Sequence, residues 1–359
     1  MFSGSYDPED VIFLLKPVRL APTPLEEKER LIQSGRRHYS EMIGVEAPPS
    51  PQYLRVFHEA LARVRARFAR HLLHLARLIA DARPRAITLV SFARAGTPVG
   101  VLLGRILRRF FERPTRHYSI SIIRDRGIDE NALRFILDRH PADSVVFVDG
   151  WTGKGVIARE LRKSVTSFNE AHGVGLDPGL FAVADLSGAA ACAATTDDYL
   201  IPSAVLGCTI SGLVSRSILN HDVAGPSDFH ACVFYEGLRG ADLSRWFVDE
   251  LMRDVGQAAS LPSAQADRKP AAKNGERSTA FLRSVMEQFK IRNVNLIKPG
   301  IGEATRVLLR RVPDLLLLRD PLLPDVAHLR LLALAKNVPI RVDPALPYLA
   351  TALIKEIDG

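Results

Sequence analysis

With 359 residues, 47% of them hydrophobic and 25% charged, the chain has the make-up of an ordinary globular protein with room for more than one core. Its formal charge of +8 is carried mostly beyond residue 255, a mild bias compatible with an anionic partner. No apolar run reaches the ~18 residues that a membrane span needs. The start has no basic leader, and three widely spaced cysteines without a CxxC argue against a disulfide framework or zinc knuckle. The expected compartment is the cytoplasm, with no membrane partner.

Taken in chain order, residues 53–82 place Leu54, Phe57, Leu61, Val64, Phe68, Leu72, Leu75 and Ile79 at helical spacing, with arginines on the other face. That predicts a long amphipathic helix. Short apolar runs then alternate with helical stretches. Strands are expected at 85–91, 117–123, 144–148 and 180–185, and helices at 97–111, 131–139 and 156–167. Such alternation implies crossovers and a parallel sheet. Residues 256–279, rich in Ala, Ser, Pro, Gln and Lys, read as a flexible linker between residues 1–255 and 280–359. Beyond it, helices are expected at 280–289, 304–311, 325–336 and 348–357. Strands are expected at 293–297, 315–318 and 338–342, together forming a small α/β/α sandwich.

Ligands of open parallel sheets bind beyond the carboxyl ends of the strands, so chemistry is sought there. Ser91 leads to Phe92-Ala93-Arg94-Ala95-Gly96-Thr97-Pro98, where small residues allow close approach and Arg94 offers a forked contact to phosphate. The next strand leads to Arg124-Asp125-Arg126-Gly127-Ile128-Asp129. The third is followed by Asp149-Gly150-Trp151-Thr152-Gly153-Lys154-Gly155, read as a glycine-rich loop entering a helix, with amides and Lys154 suited to an anion. It is neither a Walker A loop nor a dinucleotide fingerprint: Val148 stands where the first needs glycine, and no G-x-G-x-x-G occurs here. Other polar candidates lie between Ser3 and Glu41 and between Asp197 and Arg216.

The strand–Asp–Thr–Gly loop, preceded by an Arg/Gly loop, resembles the phosphoribosyltransferases. More closely, the strings FSGSYDPEDVIFLLKP, EKERLIQSGRRHYSEM, LVSFARAGTPVGVLL, HYSISIIRDRGID, FVDGWTGKG and DDYLIPSA resemble the phosphoribosyltransferase family of tellurite-resistance operons, also labelled the cysteine protease StiP family. The resemblance implies a phosphoribosyltransferase-like α/β domain that uses phosphoribosyl pyrophosphate and magnesium to ribosylate a nitrogen acceptor. Asp149, Asp125, Arg124 and Arg126 would be catalytic, with Asp149 on the metal. Ser91, Arg94, Gly96, Thr97, Gly150, Trp151, Thr152, Gly153, Lys154 and Gly155 would bind substrate. One acid is missing from the usual pair and the turn is short.

Residues 298–311 (KPGIGEATRVLLRR) and 328–340 resemble a Pelota-type RNA-binding domain, which implies structured RNA bound through Lys298, Gly300, Gly302, Glu303, Arg306 and Arg310. A homodimer is compatible with all of this. Two other readings stay open. One is a nucleotide sensor that does no chemistry. The other is the cysteine peptidase of the family label, for which Cys208 with His230, or Cys232 with His38, would have to meet.

Overall fold

The computed structural model describes residues 1–260 and 271–356, and for 271–274 the backbone alone. Its first unit is a six-stranded, wholly parallel sheet. The strands are β1 (Ile12–Phe13), β2 (Ile87–Phe92), β3 (Thr115–Ile120), β4 (Val145–Thr152), β5 (Leu180–Asp185) and β6 (Cys192–Thr195), in the order β1-β3-β2-β4-β5-β6. β2, β4 and β5 are buried along their whole length, which is why they read as unbroken apolar runs rather than alternating ones.

Helices cover both faces. Among them α1 (Leu25–Gln33), α2 (Pro51–Ala82), α3 (Thr97–Phe110), α4 (Glu130–Leu137), α5 (Val156–His172) and α6 (Ser244–Ala259) belong to the first unit. Ser50 caps α2, accepting from the Tyr53 amide at 3.2 Å, and Pro51 supplies the first helical φ. Phe57, Leu61, Phe68, Leu72, Leu75 and Ile79 are buried with α3 and α6 on one face of the sheet. Leu133, Ile136, Leu161, Val165 and Phe168 of α4 and α5 pack on the other. Asp129 caps α4 through the Ala132 amide, and Gly155 opens α5 at φ +70°, where a Cβ would strike Ala189.

The second unit is a four-stranded mixed sheet, β7 (Ile297–Pro299), β8 (Pro313–Leu318), β9 (Ile340–Val342) and β10 (Ala350–Ile354), in the order β7-β10-β8-β9. It carries α7 (Ala271–Gln288), α8 (Ile301–Arg310) and α9 (Ala327–Ala335). The mixed α/β class and the parallel sheet are as expected from sequence; several boundaries differ. β4 runs on to Thr152, so Asp149, Gly150, Trp151 and Thr152 are strand residues, paired with β5, and the turn before α5 is only Gly153-Lys154-Gly155. The helix expected over 348–357 is instead strand β10. It is antiparallel to β7 on one side and β8 on the other, and buried at all five positions, so sheet pairing outweighs helix propensity there. In the stretch 256–279, α6 reaches Ala259 and α7 starts at Ala271, while 261–270 lie outside the described residues.

The second unit is docked over the carboxyl ends of the parallel strands. One apolar cluster joins Trp151, Tyr199 and Ile201 of the first unit to Ile301, Ala304, Val307 and Leu308 of α8.

Candidate active site and the seam that covers it

The seam follows from how α8 begins. Gly300, at φ +87°, lets the chain leave β7 and turn sharply, and a Cβ there would meet Leu186. The helix's first free amide, that of Ile301, donates to Asp198 Oδ1 at 3.0 Å, and the Leu349 amide donates to Asp198 Oδ2 at 2.8 Å. A carboxylate from the first unit therefore caps a helix of the second. Gly302 lies against the Trp151 indole, and the Arg306 guanidinium sits 4.5 Å over that ring. Arg311 grips the fully buried Glu29 with two hydrogen bonds, one of them 2.8 Å. Arg124 reaches Asn295 at 3.2 Å and Lys154 reaches the Val294 carbonyl at 2.9 Å.

The residues expected to bind a ribose phosphate are thus mostly engaged with protein. Ser91 Oγ pairs with His117 Nε2 at 2.8 Å, and Thr97 Oγ1 with Ser119 Oγ at 2.8 Å, all in the core. Arg94, 5% exposed, binds Glu46 at 2.5 Å and the Val214 carbonyl at 3.1 Å. Arg124 pairs with Asp125, and Arg126 lies 3.6 Å from Glu41. Asp149 accepts from the Gly150 amide at 2.7 Å, with Gly96 alongside. Thr152 faces Ser187 at 3.5 Å. Side chains on Gly153 would meet Pro299 and Glu303. Where a ligand would rest on the strand ends, α8 rests instead. Among the described residues no group of three or more His, Cys, Asp or Glu could hold a metal ion, and Asp149 is buried.

The cysteines differ sharply. Cys232 is in the core, where burial alone pushes its thiol up to about 12. Cys192 lies on the edge strand β6. Cys208 begins a short 3-10 turn beside a charged cluster that sequence reasoning missed: its amide donates to Glu46 Oε2 at 3.4 Å, which brings the Glu46 carboxylate near its thiol. Arg94 and Arg310 stand next to Gly207, and Tyr235 is close by. Burial raises the Cys208 thiol to about 12, against the pull of Arg94. Burial would also raise Glu46, yet Arg94 and Arg310 outweigh it and hold the carboxyl at about 2. The expected histidine partners are elsewhere: His230 bonds Ser121 through Nδ1 at 2.7 Å, and His38 bonds Ser40 at 2.8 Å. Glu46 sits alone in a proline-rich stretch, and only its isolation among apolar neighbours could have marked it.

The seam's electrostatics give a pH expectation. Burial pushes Asp198 up to about 6 despite the amides of Ile301, Leu349 and Ala350 and the nearby Arg319. It does the same to Asp149, which Arg306 and the Gly150 amide lower and Glu303 raises. Burial draws Lys154 down to about 7 and Lys298 to about 8. Lys298 and Lys154 repel each other, Arg124 repels both, and Glu303 attracts both. A carboxyl raised on closure binds extra protons when closed, so closure loses that support as pH rises from the ordinary 3.8 through 6. A lowered lysine has the opposite sign, and closure gains as pH rises from about 7 or 8 towards 10.5. The seam is therefore weakest between about pH 6 and 7. Trp151 emission followed across pH in a Trp246→Phe background should be most red-shifted there, and Asp198→Asn should flatten its acidic limb.

Sheet, seam and enclosed thiol define the class: an α/β protein with a small C-terminal module closed over the strand ends and a cysteine held beneath it. The chain belongs to the StiP family, whose model, described as tellurite-like stress resistance cysteine protease StiP, matches residues 4–252. A second model, the PELOTA RNA binding domain, matches residues 276–356. A curated relative, the cysteine protease StiP of Acinetobacter baylyi, is 41% identical over 366 residues, covering 99% of this chain and 95% of the relative. These names overturn the expectation of a phosphoribosyltransferase with phosphoribosyl pyrophosphate and magnesium. The strand–Asp–Thr–Gly pattern that suggested it is a buried strand under α8. No described helix is long and apolar enough to cross a membrane.

Proposed function

We propose that the protein is a cysteine peptidase whose nucleophile is Cys208 and whose C-terminal module binds folded RNA. The observation that carries the assignment is the cluster around Cys208: a thiol facing the Glu46 carboxylate, with the guanidinium groups of Arg94 and Arg310 adjacent. In the reaction, the Cys208 sulfur attacks the peptide carbonyl and its proton passes to Glu46. A thioester forms as the amine departs with a proton, and water then releases the acid. The arginines would offset charge developing on the carbonyl oxygen.

Cys208 is 1% exposed, and burial of its thiol together with the arginines beside Glu46 opposes this proton transfer in the closed form. The closed form is therefore a latent one, and activity needs the site to be hydrated. Cys208→Ser should abolish hydrolysis of an unfolded casein substrate, whereas Cys192→Ser and Cys232→Ser should keep most of it. Equal activity in all three would refute the assignment. RNA binding is supported by the Pelota match and by the cations Lys298, Arg306 and Arg310 near Gly300 and Gly302.

A further inference from the structure

The face matched to RNA and the face that closes the seam are the same. Gly302 is against Trp151, so tightly that a Cβ would come within 2.4 Å of the ring. Arg306, paired with Glu303 at 2.9 Å, lies over that indole. Arg310 lies beside Gly207 and Glu46. With α8 docked, Gly302 is buried and the side chains of Arg306 and Glu303 keep only 35% and 21% exposure, so a phosphate track laid along this face would have to displace Trp151 and the strand ends.

The docked arrangement also serves its cations poorly. Among the described residues, Lys298 and Arg310 have no salt bridge and no side-chain hydrogen bond, and Lys154 has only a backbone carbonyl. Glu303 is shared between Arg306, Lys298 and Lys154. Burial accordingly lowers Lys298 to about 8 and Arg310 to about 9. Phosphates would give each cation the direct, charge-assisted partner that the seam does not supply. What holds the seam shut is a short set of ties, chiefly Asp198 on the Ile301 and Leu349 amides and Glu29 on Arg311.

We propose that the cationic edge of α8 has two mutually exclusive partners, the strand ends of the first unit and a folded RNA, so that RNA binding lifts the module and uncovers Cys208. The inference rests on the RNA and peptidase readings above and adds the coupling between them. In the closed form the RNA face is partly covered and its contact with Trp151 must be given up, so the apparent RNA affinity is reduced by the fraction of molecules that are open.

The test uses the full chain with Trp246→Phe, which leaves Trp151 as the reporter, since the sequence holds two tryptophans. The probe is a fluorescein-labelled RNA hairpin with an internal bulge, followed by anisotropy. RNA should shift Trp151 emission to longer wavelength over the same titration range that raises anisotropy. Asp198→Asn and Glu29→Gln lie in the first unit and leave every residue of the RNA-facing set unchanged. Each should tighten RNA binding by about tenfold, because the open fraction rises. Two variants guard against one of them misfolding, and circular dichroism reports which remain folded. Iodoacetamide labelling of Cys208 should rise with RNA by a similar factor. RNA that saturates while Trp151 emission and Cys208 labelling stay unchanged overturns the coupling alone. No binding by the native chain or by either variant overturns the RNA reading and the coupling with it.

Discussion

Gly302→Ala opens the seam. On helix propensity alone the change should help, since alanine is favoured over glycine inside a helix by about 1 kcal/mol. The added methyl would lie 2.4 Å from Trp151 Cε2 and 2.6 Å from its Nε1, against a ring fixed on the buried strand β4. Overpacking of this kind typically costs about 1–3 kcal/mol, and it falls wholly on the docked form. The expected result is a red-shifted Trp151 emission, faster alkylation of Cys208 and a second unit that melts separately from the first. A more stable protein with unchanged emission would show that α8 does not sit on Trp151.

Breaking the Glu46–Arg94 pair should unsettle the fold as well as the site. The guanidinium side chain is 4% exposed and the carboxylate 19%, and no other carboxylate contacts Arg94 among the described residues. Removing one member of a buried pair leaves an uncompensated charge and costs about 3–5 kcal/mol. Glu46→Ala should therefore lower the unfolding temperature markedly and abolish any peptidase activity. The double change Glu46→Ala/Arg94→Met should recover most of the lost stability, because an apolar replacement removes both charges. Activity should not return with it. Recovery of both would place the chemistry elsewhere; recovery of neither would mean that the cluster is needed for packing alone.

The parts of the fold that could be read from sequence are those whose signal is local. The buried runs at β2, β4 and β5 and the apolar stripe of α2 each carry their own periodicity, and the structure places them within a few residues of expectation. β10 is not legible locally, because ATALI has no clear period and gains its state from two strand partners elsewhere in the chain. The strand-end motifs drew attention to the right edge of the sheet, yet their meaning depended on what lies above them. Asp198 and Ile301, Glu29 and Arg311, and Glu46 and Arg94 meet across 103, 282 and 48 residues, and no spacing rule links them. The partner of the thiol is hidden in a similar way. Histidine is the expected partner of Cys208, whereas its neighbour is a glutamate in a segment without a motif.

Lys154, Lys298 and Arg124 crowd like charge into a narrow gap, and this gives small ions a say in the state of the molecule. Added salt screens their mutual repulsion and so favours closure, while it also weakens cation–phosphate attraction. Both effects push the same way. Opening by an RNA should therefore fall off with ionic strength more steeply than the number of phosphates contacted would predict, and the excess slope measures the repulsion stored across the seam.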